Sequence, residues 1–181
     1  PMSVSHRTYR REPSFTVAIA RDPAFNFMYE ANIRYLHHLG EVTYFSPLAD
    51  TSLPDAGFVY LPGGYPELYL AALSANRLML QSIRRYVENG GKLLAECGGM
   101  MYLCDEIRDK NGDVYPMAGV LHQSATMENM KLRLGYRTLL YNDARLKGHE
   151  FHYSRLVEQQ DPLPSCAVAY TAKGVETDTP L

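Results

Sequence analysis

The segment AECGGMMYL, Ala95 to Leu103, sets a cysteine between a small residue two positions before it and a glycine two positions after it. A nucleophile elbow requires this spacing. Its sharp strand-to-helix turn holds the nucleophile in a strained backbone conformation, and small neighbours keep the surrounding backbone from clashing. The corresponding chemistry is attack by the Cys97 sulfur on an acyl carbon. The N–H of Gly98, opening the next helix, would point at the developing oxyanion, and the positive end of that helix would favour a thiolate. The competing reading makes Cys97 a small buried hydrophobe, as free cysteines commonly are. A second segment, LPGGYPELY (Leu61 to Tyr69), ends an apolar run in two glycines. Such a pair lets a backbone amide turn into a cleft, which makes Gly64 a candidate for a second oxyanion donor, although Pro-Gly-Gly is also an ordinary turn.

Holding these residues in one crevice is the task of the elements around them. FTVAIA (Phe15 to Ala20) reads as a buried strand ending at Asp22-Pro23, and MYEANIRYLHHLG as a helix stopped by Gly40. EVTYF and GFVYL are the next two strands. A helix capped by Ser74, with Leu78, Ile83, Tyr86 and Val87 on one stripe, is expected to run to Gly90-Gly91. KLLAE is the fourth strand and GGMMYLCDEI a helix, with Cys104 two turns beyond Cys97 and in the core. Looser strand signals follow around Val114–Leu121, Tyr136–Tyr141 and Glu150–Tyr153. Strands alternating with helices predict a three-layer, flavodoxin-like α/β fold with a mostly parallel sheet, whose chemistry gathers beyond the strands' carboxyl ends.

Composition removes several classes of function. With 18 basic and 20 acidic residues among 181, the formal charge of −2 offers no footprint for nucleic acid or anionic lipid. No apolar run reaches the roughly 20 residues needed to cross a bilayer, and the start lacks a signal-peptide core, so a cytoplasmic protein is expected. Three cysteines without a C-x-x-C pair suggest neither a disulfide framework nor a zinc site. His6, His37, His38 and His122 read as surface or core residues. GHEFHYS, Gly148 to Ser154, is different. Alternation puts His149 and His152 on opposite strand faces and places His152 beside Glu150, which could orient an imidazole as a general base.

Five blocks in order, ARDPAFNFMY, LPGGYPELY, ALSANR, AECGGMMYL and GHEFHYS, resemble the glutamine amidotransferase domain of the cobyrinate a,c-diamide synthase family, enzymes of cobalamin biosynthesis. The resemblance runs from about Phe15 to Ser154. It implies a class I, triad-type glutaminase in which Cys97 attacks the carboxamide of glutamine, forms a γ-glutamyl thioester and releases ammonia, with amides of Gly64 and Gly98 as oxyanion donors. The ammonia would pass to the protein's own N-terminal synthetase domain, which uses ATP and Mg2+ to amidate the a and c acetates of a corrinoid. No P-loop is present here, since Gly91-Lys92 is followed by Leu93. On this reading residues 1–14 are a linker from the synthetase domain, and 15–181 form the amidotransferase domain without its C-terminal strand. The family's general base is implied in a Tyr-x-His motif near the domain's end, and none follows Ser154. That would put the base beyond Leu181 and leave this chain weak or inactive, with His152 as the alternative base. Fold and elbow alone equally allow another α/β cysteine hydrolase, peptidase-like or deglycase-like, or a non-catalytic docking module.

Overall fold

The computed structural model describes residues 16–159 and 163–177; the segment read as a linker, together with Phe15 and His6, lies outside them. The chain divides into two compact units, one ending at Met100 and the other beginning at Met101. No described helix is long and apolar enough to cross a membrane.

In the first unit, β1 (Thr16–Ala20), α1 (Glu30–Leu39), β2 (Glu41–Phe45) and β3 (Phe58–Leu61) follow the expected alternation. A 3-10 turn (Pro66–Leu68), α2 (Leu70–Ala75), α3 (Arg77–Glu88) and β4 (Lys92–Ala95) complete it. The four strands are parallel in the order β2-β1-β3-β4. Such an order contains a switch point between β1 and β3, where connections leave in opposite directions and open a crevice. Val17, Ala18, Ile19 and Ala20 are fully buried, as near-continuous apolar runs in covered parallel strands require. The partly buried Met28, Ile33 and Leu36 pack on Val17, Ile19 and Tyr60.

One expected helix is two. Ser74 lies inside α2, and Asn76 is the cap that starts α3: its side-chain oxygen accepts the Met79 N–H at 3.3 Å. Its amide also donates to the carbonyls of Pro47 and Asp50, at 2.8 Å each, so one residue stops α2, opens α3 and ties both to the loop after β2. The cap sets the helix phase. Met79, Leu80 and Ile83 form the buried face, whereas Leu78, assigned to that face from the sequence, is 58% exposed.

From Gly98 to Leu103 runs α4. The helix expected to continue through Cys104 stops there, because Cys104–Arg108 is β5. Cys104 and Ile107 are fully buried within it, and β5 pairs β7 (Leu121–Thr126) in parallel and β6 (Val114–Pro116) in antiparallel fashion. Ladder pairing on both sides overrides the helical spacing. The second unit continues with β8 (Arg133–Tyr141), β9 (Ala144–His152), β10 (Arg155–Leu156) and β11 (Val168–Thr171). β10 joins the sheet of β7, β5 and β6, and β11-β8-β9 form a separate antiparallel sheet. Parallel pairing is thus concentrated in the first unit.

Candidate active site

The site is built at the carboxyl ends of β1, β3 and β4. Cys97 follows β4 and precedes α4, with φ at 49°, in the left-handed region that a side chain rarely occupies. The residues on either side fix it there. The Glu96 N–H donates to the Leu61 carbonyl at 3.0 Å, and the Glu96 carbonyl accepts the Gly99 N–H at 2.8 Å. Gly99 is needed for close approach, since a Cβ on it would sit 2.2 Å from the Leu61 carbonyl oxygen.

The two glycine turns meet at the cysteine. A Cβ on Gly63 would lie 3.5 Å from the Cys97 Cβ, and one on Gly98 would lie 3.2 Å from the Gly64 nitrogen. Behind the Gly63-Gly64 turn stands the loop after β1. The Phe27 N–H donates to the Gly63 carbonyl at 3.0 Å, and the Tyr65 N–H to the Ala24 carbonyl at 3.0 Å. Gly64 rests so closely on Ala24 that a Cβ would come within 2.1 Å of the Ala24 carbonyl oxygen. Asp22 organises that loop: its carboxylate accepts the N–H groups of Ala24, Phe25 and Leu48 and the Ser46 hydroxyl. The Gly64 N–H has no protein acceptor among the described residues, so it is available to a ligand oxygen.

Electrostatics at the sulfur run against the expectation of a stabilised thiolate. The Cys97 thiol reaches solvent, yet the protein packed around it strips enough hydration to push its pKa above the ordinary thiol value. A hydrogen bond from the Gly98 backbone opposes this, while the charges of Glu67 and Glu96 reinforce it. With only six residues, α4 brings too little dipole to reverse the balance. The resting group is a thiol, and attack on an acyl carbon requires a base to take its proton. The Glu67 carboxyl is itself held above its usual range by burial, against a hydrogen bond from its own backbone.

Of the residues singled out from the sequence, Cys97, Gly64 and Gly98 come together in the first unit. His152 belongs to the second. There its Nε2 lies 2.7 Å from Glu150 Oε1 and its Nδ1 lies 2.7 Å from the Ser154 carbonyl, so both ring nitrogens face acceptors. Arg137 pairs with the other oxygen of Glu150, which is 6% exposed. Burial alone would raise the Glu150 pKa, but the His152 hydrogen bond and the Arg137 charge more than offset it and hold the carboxyl below the usual range. His149, opposite Tyr136 on the other face of β9, is exposed.

Asp22, Tyr60, Glu67 and Glu96 escaped the sequence reading. Asp22 and Glu67 lay in view, in ARDPAFNFMY and LPGGYPELY, but an acidic residue in a polar turn carries no mark of what it will bond. The Tyr60–Glu96 hydrogen bond joins residues 36 positions apart and has no local signature.

Comparison with known proteins agrees with this geometry. Residues 16–180 match the family described as CobB/CobQ-like glutamine amidotransferase domain. The hydrogenobyrinate a,c-diamide synthase of Pseudomonas aeruginosa is 42% identical over 160 residues, covering 88% of this chain and 35% of that protein. The cobyrinate a,c-diamide synthase of Fusobacterium nucleatum is 46% identical over 145 residues, 77% of this chain and 33% of that protein. The chain therefore spans about a third of the length of the curated relatives it matches. Among solved structures, PurLQS from Thermotoga maritima superposes with a TM-score of 0.59 at 14% identity, covering 94% of this chain and 88% of that one. A structure described as a glutamine amidotransferase gives 0.57 at 16% identity, with 88% and 86% covered. These two show the fold: a class I glutamine amidotransferase-like α/β arrangement. A match spanning every described residue, with a strained cysteine at the end of a parallel strand, places the chain in the family of CobB/CobQ-like glutamine amidotransferase domains.

Proposed function

We propose that this chain is the glutaminase domain of a cobyrinate or hydrogenobyrinate a,c-diamide synthase, releasing ammonia from glutamine for amidation of corrin acetates. The observation that carries the reading is Cys97, held at φ 49° between a strand and a helix with the Gly63-Gly64 turn against it. In the reaction the Cys97 sulfur forms a bond to the carboxamide carbon as a base takes the thiol proton. The carbonyl oxygen becomes an oxyanion, positioned for the N–H groups of Gly64 and Gly98. The C–N bond then breaks, the proton passes to the departing nitrogen, and a thioester remains for water to hydrolyse. Because its thiol pKa is raised, Cys97 depends on that base at neutral pH. His152 is a structural residue on this reading, since both of its ring nitrogens are already engaged, one by Glu150 and the other by the Ser154 carbonyl.

The remaining two thirds of the full-length protein would supply the ATP- and Mg2+-dependent activation of the carboxylates and the corrinoid site. Among the described residues no group of three or more His, Cys, Asp or Glu side chains is placed to hold a metal. The test uses the full-length protein and 6-diazo-5-oxo-L-norleucine, an electrophilic glutamine analogue. Peptide mass mapping should place the adduct on Cys97. Cys97→Ser should abolish glutamine-dependent amidation and retain amidation with added ammonia. Labelling by iodoacetamide but not by the glutamine analogue would instead make this an α/β cysteine hydrolase of another specificity. Equal loss with both nitrogen donors would show that Cys97 serves the fold.

A further inference from the structure

Glu96 directly precedes the strained cysteine, and all three of its polar elements are held. Its N–H is bonded to Leu61, its carbonyl to Gly99, and its carboxylate accepts the Tyr60 hydroxyl. The first two are backbone bonds that any residue at this position could make. The third is specific. Tyr60 belongs to β3, pairs with Leu94 of β4, and is 3% exposed, its ring packed with Val17 and Ile19 in the core. Its ring cannot swing, so the hydroxyl is a fixed point presented to the elbow from the neighbouring strand.

We infer that the Tyr60–Glu96 pair is a positioning tether for Cys97: it anchors the residue before the nucleophile to the sheet core and keeps the cysteine in its left-handed conformation. The physical need for one is plain. A left-handed conformation is costly for a side-chain-bearing residue and persists only where the surroundings over-determine it. Here the surroundings include an edge strand, since β4 has a neighbour on one side alone among the described strands of its sheet. Leu94 on it is 49% exposed. A side-chain bond reaching across from β3 adds a restraint to the ladder hydrogen bonds between β3 and β4. Burial first, then the hydrogen bond and charge of Glu96, push the Tyr60 phenol well above its usual range, so it stays protonated and remains the donor. Charge and tether have opposite consequences for the thiol. The Glu96 charge disfavours thiolate, whereas the geometry it maintains keeps the Gly98 backbone bonded to the sulfur, which favours it.

This inference rests on Cys97 being the nucleophile, and the experiment separates the two. In the full-length protein, the pH dependence of Cys97 alkylation by iodoacetamide, followed on the Cys97 peptide by mass spectrometry, is measured for the parent, Tyr60→Phe and Glu96→Gln. Tyr60→Phe leaves the charge and cuts the tether, so the midpoint should move up and the rate at neutral pH fall about three- to tenfold, the span expected for one hydrogen bond. Glu96→Gln keeps an oxygen to accept the hydroxyl and removes the charge, so its midpoint should move below the parent's. A purely structural pair would leave the Tyr60→Phe midpoint on the parent's, and that outcome overturns the tether even if the variant's melting temperature shifts. If the parent's Cys97 alkylates normally but full-length protein is not labelled by the glutamine analogue, the nucleophile reading fails while the ordering of midpoints still decides the tether.

Discussion

The two units handle their polar groups in opposite ways. At the Cys97 elbow the backbone is strained, the Gly64 N–H is without a protein acceptor among the described residues, and loss of hydration, reinforced by the charges of Glu67 and Glu96, raises the pKa of the thiol. In the β8–β9 hairpin, the buried carboxylate of Glu150 is matched on both oxygens, by Arg137 and His152, and His152 is matched again by the Ser154 carbonyl. Only the Arg137 Nε in that cluster is buried without a hydrogen bond. An incompletely satisfied site has capacity for a ligand, whereas a satisfied one has already used its capacity on the fold. The same contrast explains why a histidine beside a glutamate, attractive as a base in the sequence, has both ring nitrogens bonded within its own unit in the structure.

The strongest way to break this contrast is to unpair the satisfied cluster. Glu150→Ala leaves the Arg137 guanidinium and the His152 ring without their shared acceptor, and breaking a buried pair by removing one partner costs about 3–5 kcal/mol. Urea unfolding should show this loss in the transition that reports on the second unit. The pH dependence follows from the depressed Glu150 pKa. A carboxyl that ionises more readily folded than unfolded adds stability above its unfolded pKa, and that stability is lost as the pH falls through the folded value. The parent should therefore lose more stability on acidification than Glu150→Gln does. Identical acid profiles would show that the cluster carries no net coupling to folding.

A smaller effect is expected where the elbow's backbone is crowded. Gly99→Ala places a methyl 2.2 Å from the Leu61 carbonyl oxygen, which must push β3 away from the turn. Overpacking of this kind costs about 1–3 kcal/mol. It should also slow Cys97 alkylation, because the Glu96–Gly99 hydrogen bond closes the turn that presents the sulfur. Ala at Gly148, where a Cβ meets nothing within 4 Å, is the control and should do neither.

How much of this was legible in the sequence depended on whether the cause was local. The first four strands and α1 were readable because buried parallel strands are short apolar runs bounded by breakers, Cys97 with Gly98 because an elbow needs small residues at fixed offsets, and Gly64 because a glycine pair ends a buried strand. Asn76 as cap was hidden by Ser74, an equally good capping type two residues earlier, and what selects Asn76 is a pair of carbonyls 26 and 29 residues away. Cys104 was misplaced on a helix because its strand is defined by partners on β6 and β7 rather than by its own pattern. The raised pKa of Cys97 could not be foreseen either. Helix polarity is visible in a sequence, but the approach of Glu67 and the loss of hydration are not.

The smallest predicted effect tests the strain itself. Cys97 and Gly90 both adopt positive φ, 49° and 81°, but only at Gly90 does the residue type make that conformation easy. Replacing Cys97 with Gly removes the Cβ that makes the left-handed region costly, a relief of about 1–2 kcal/mol. Against this, a glycine loses more chain entropy on folding, about 0.5–1 kcal/mol relative to alanine. The net gain of Cys97→Gly over Cys97→Ala should therefore be about 0.5–1 kcal/mol, with both variants equally unable to form a thioester. Alanine is the proper reference because it too lacks the sulfur and keeps the Cβ, so the difference isolates the backbone term. Thermal or urea unfolding of the two variants measures it directly. If Cys97→Gly is less stable than Cys97→Ala by the full entropic cost of glycine, the elbow holds no strain, and the Tyr60–Glu96 tether has nothing to restrain. If it is more stable, the first unit gives up folding stability to present its thiol, a cost for which the Glu150 cluster, with both carboxylate oxygens paired, has no counterpart.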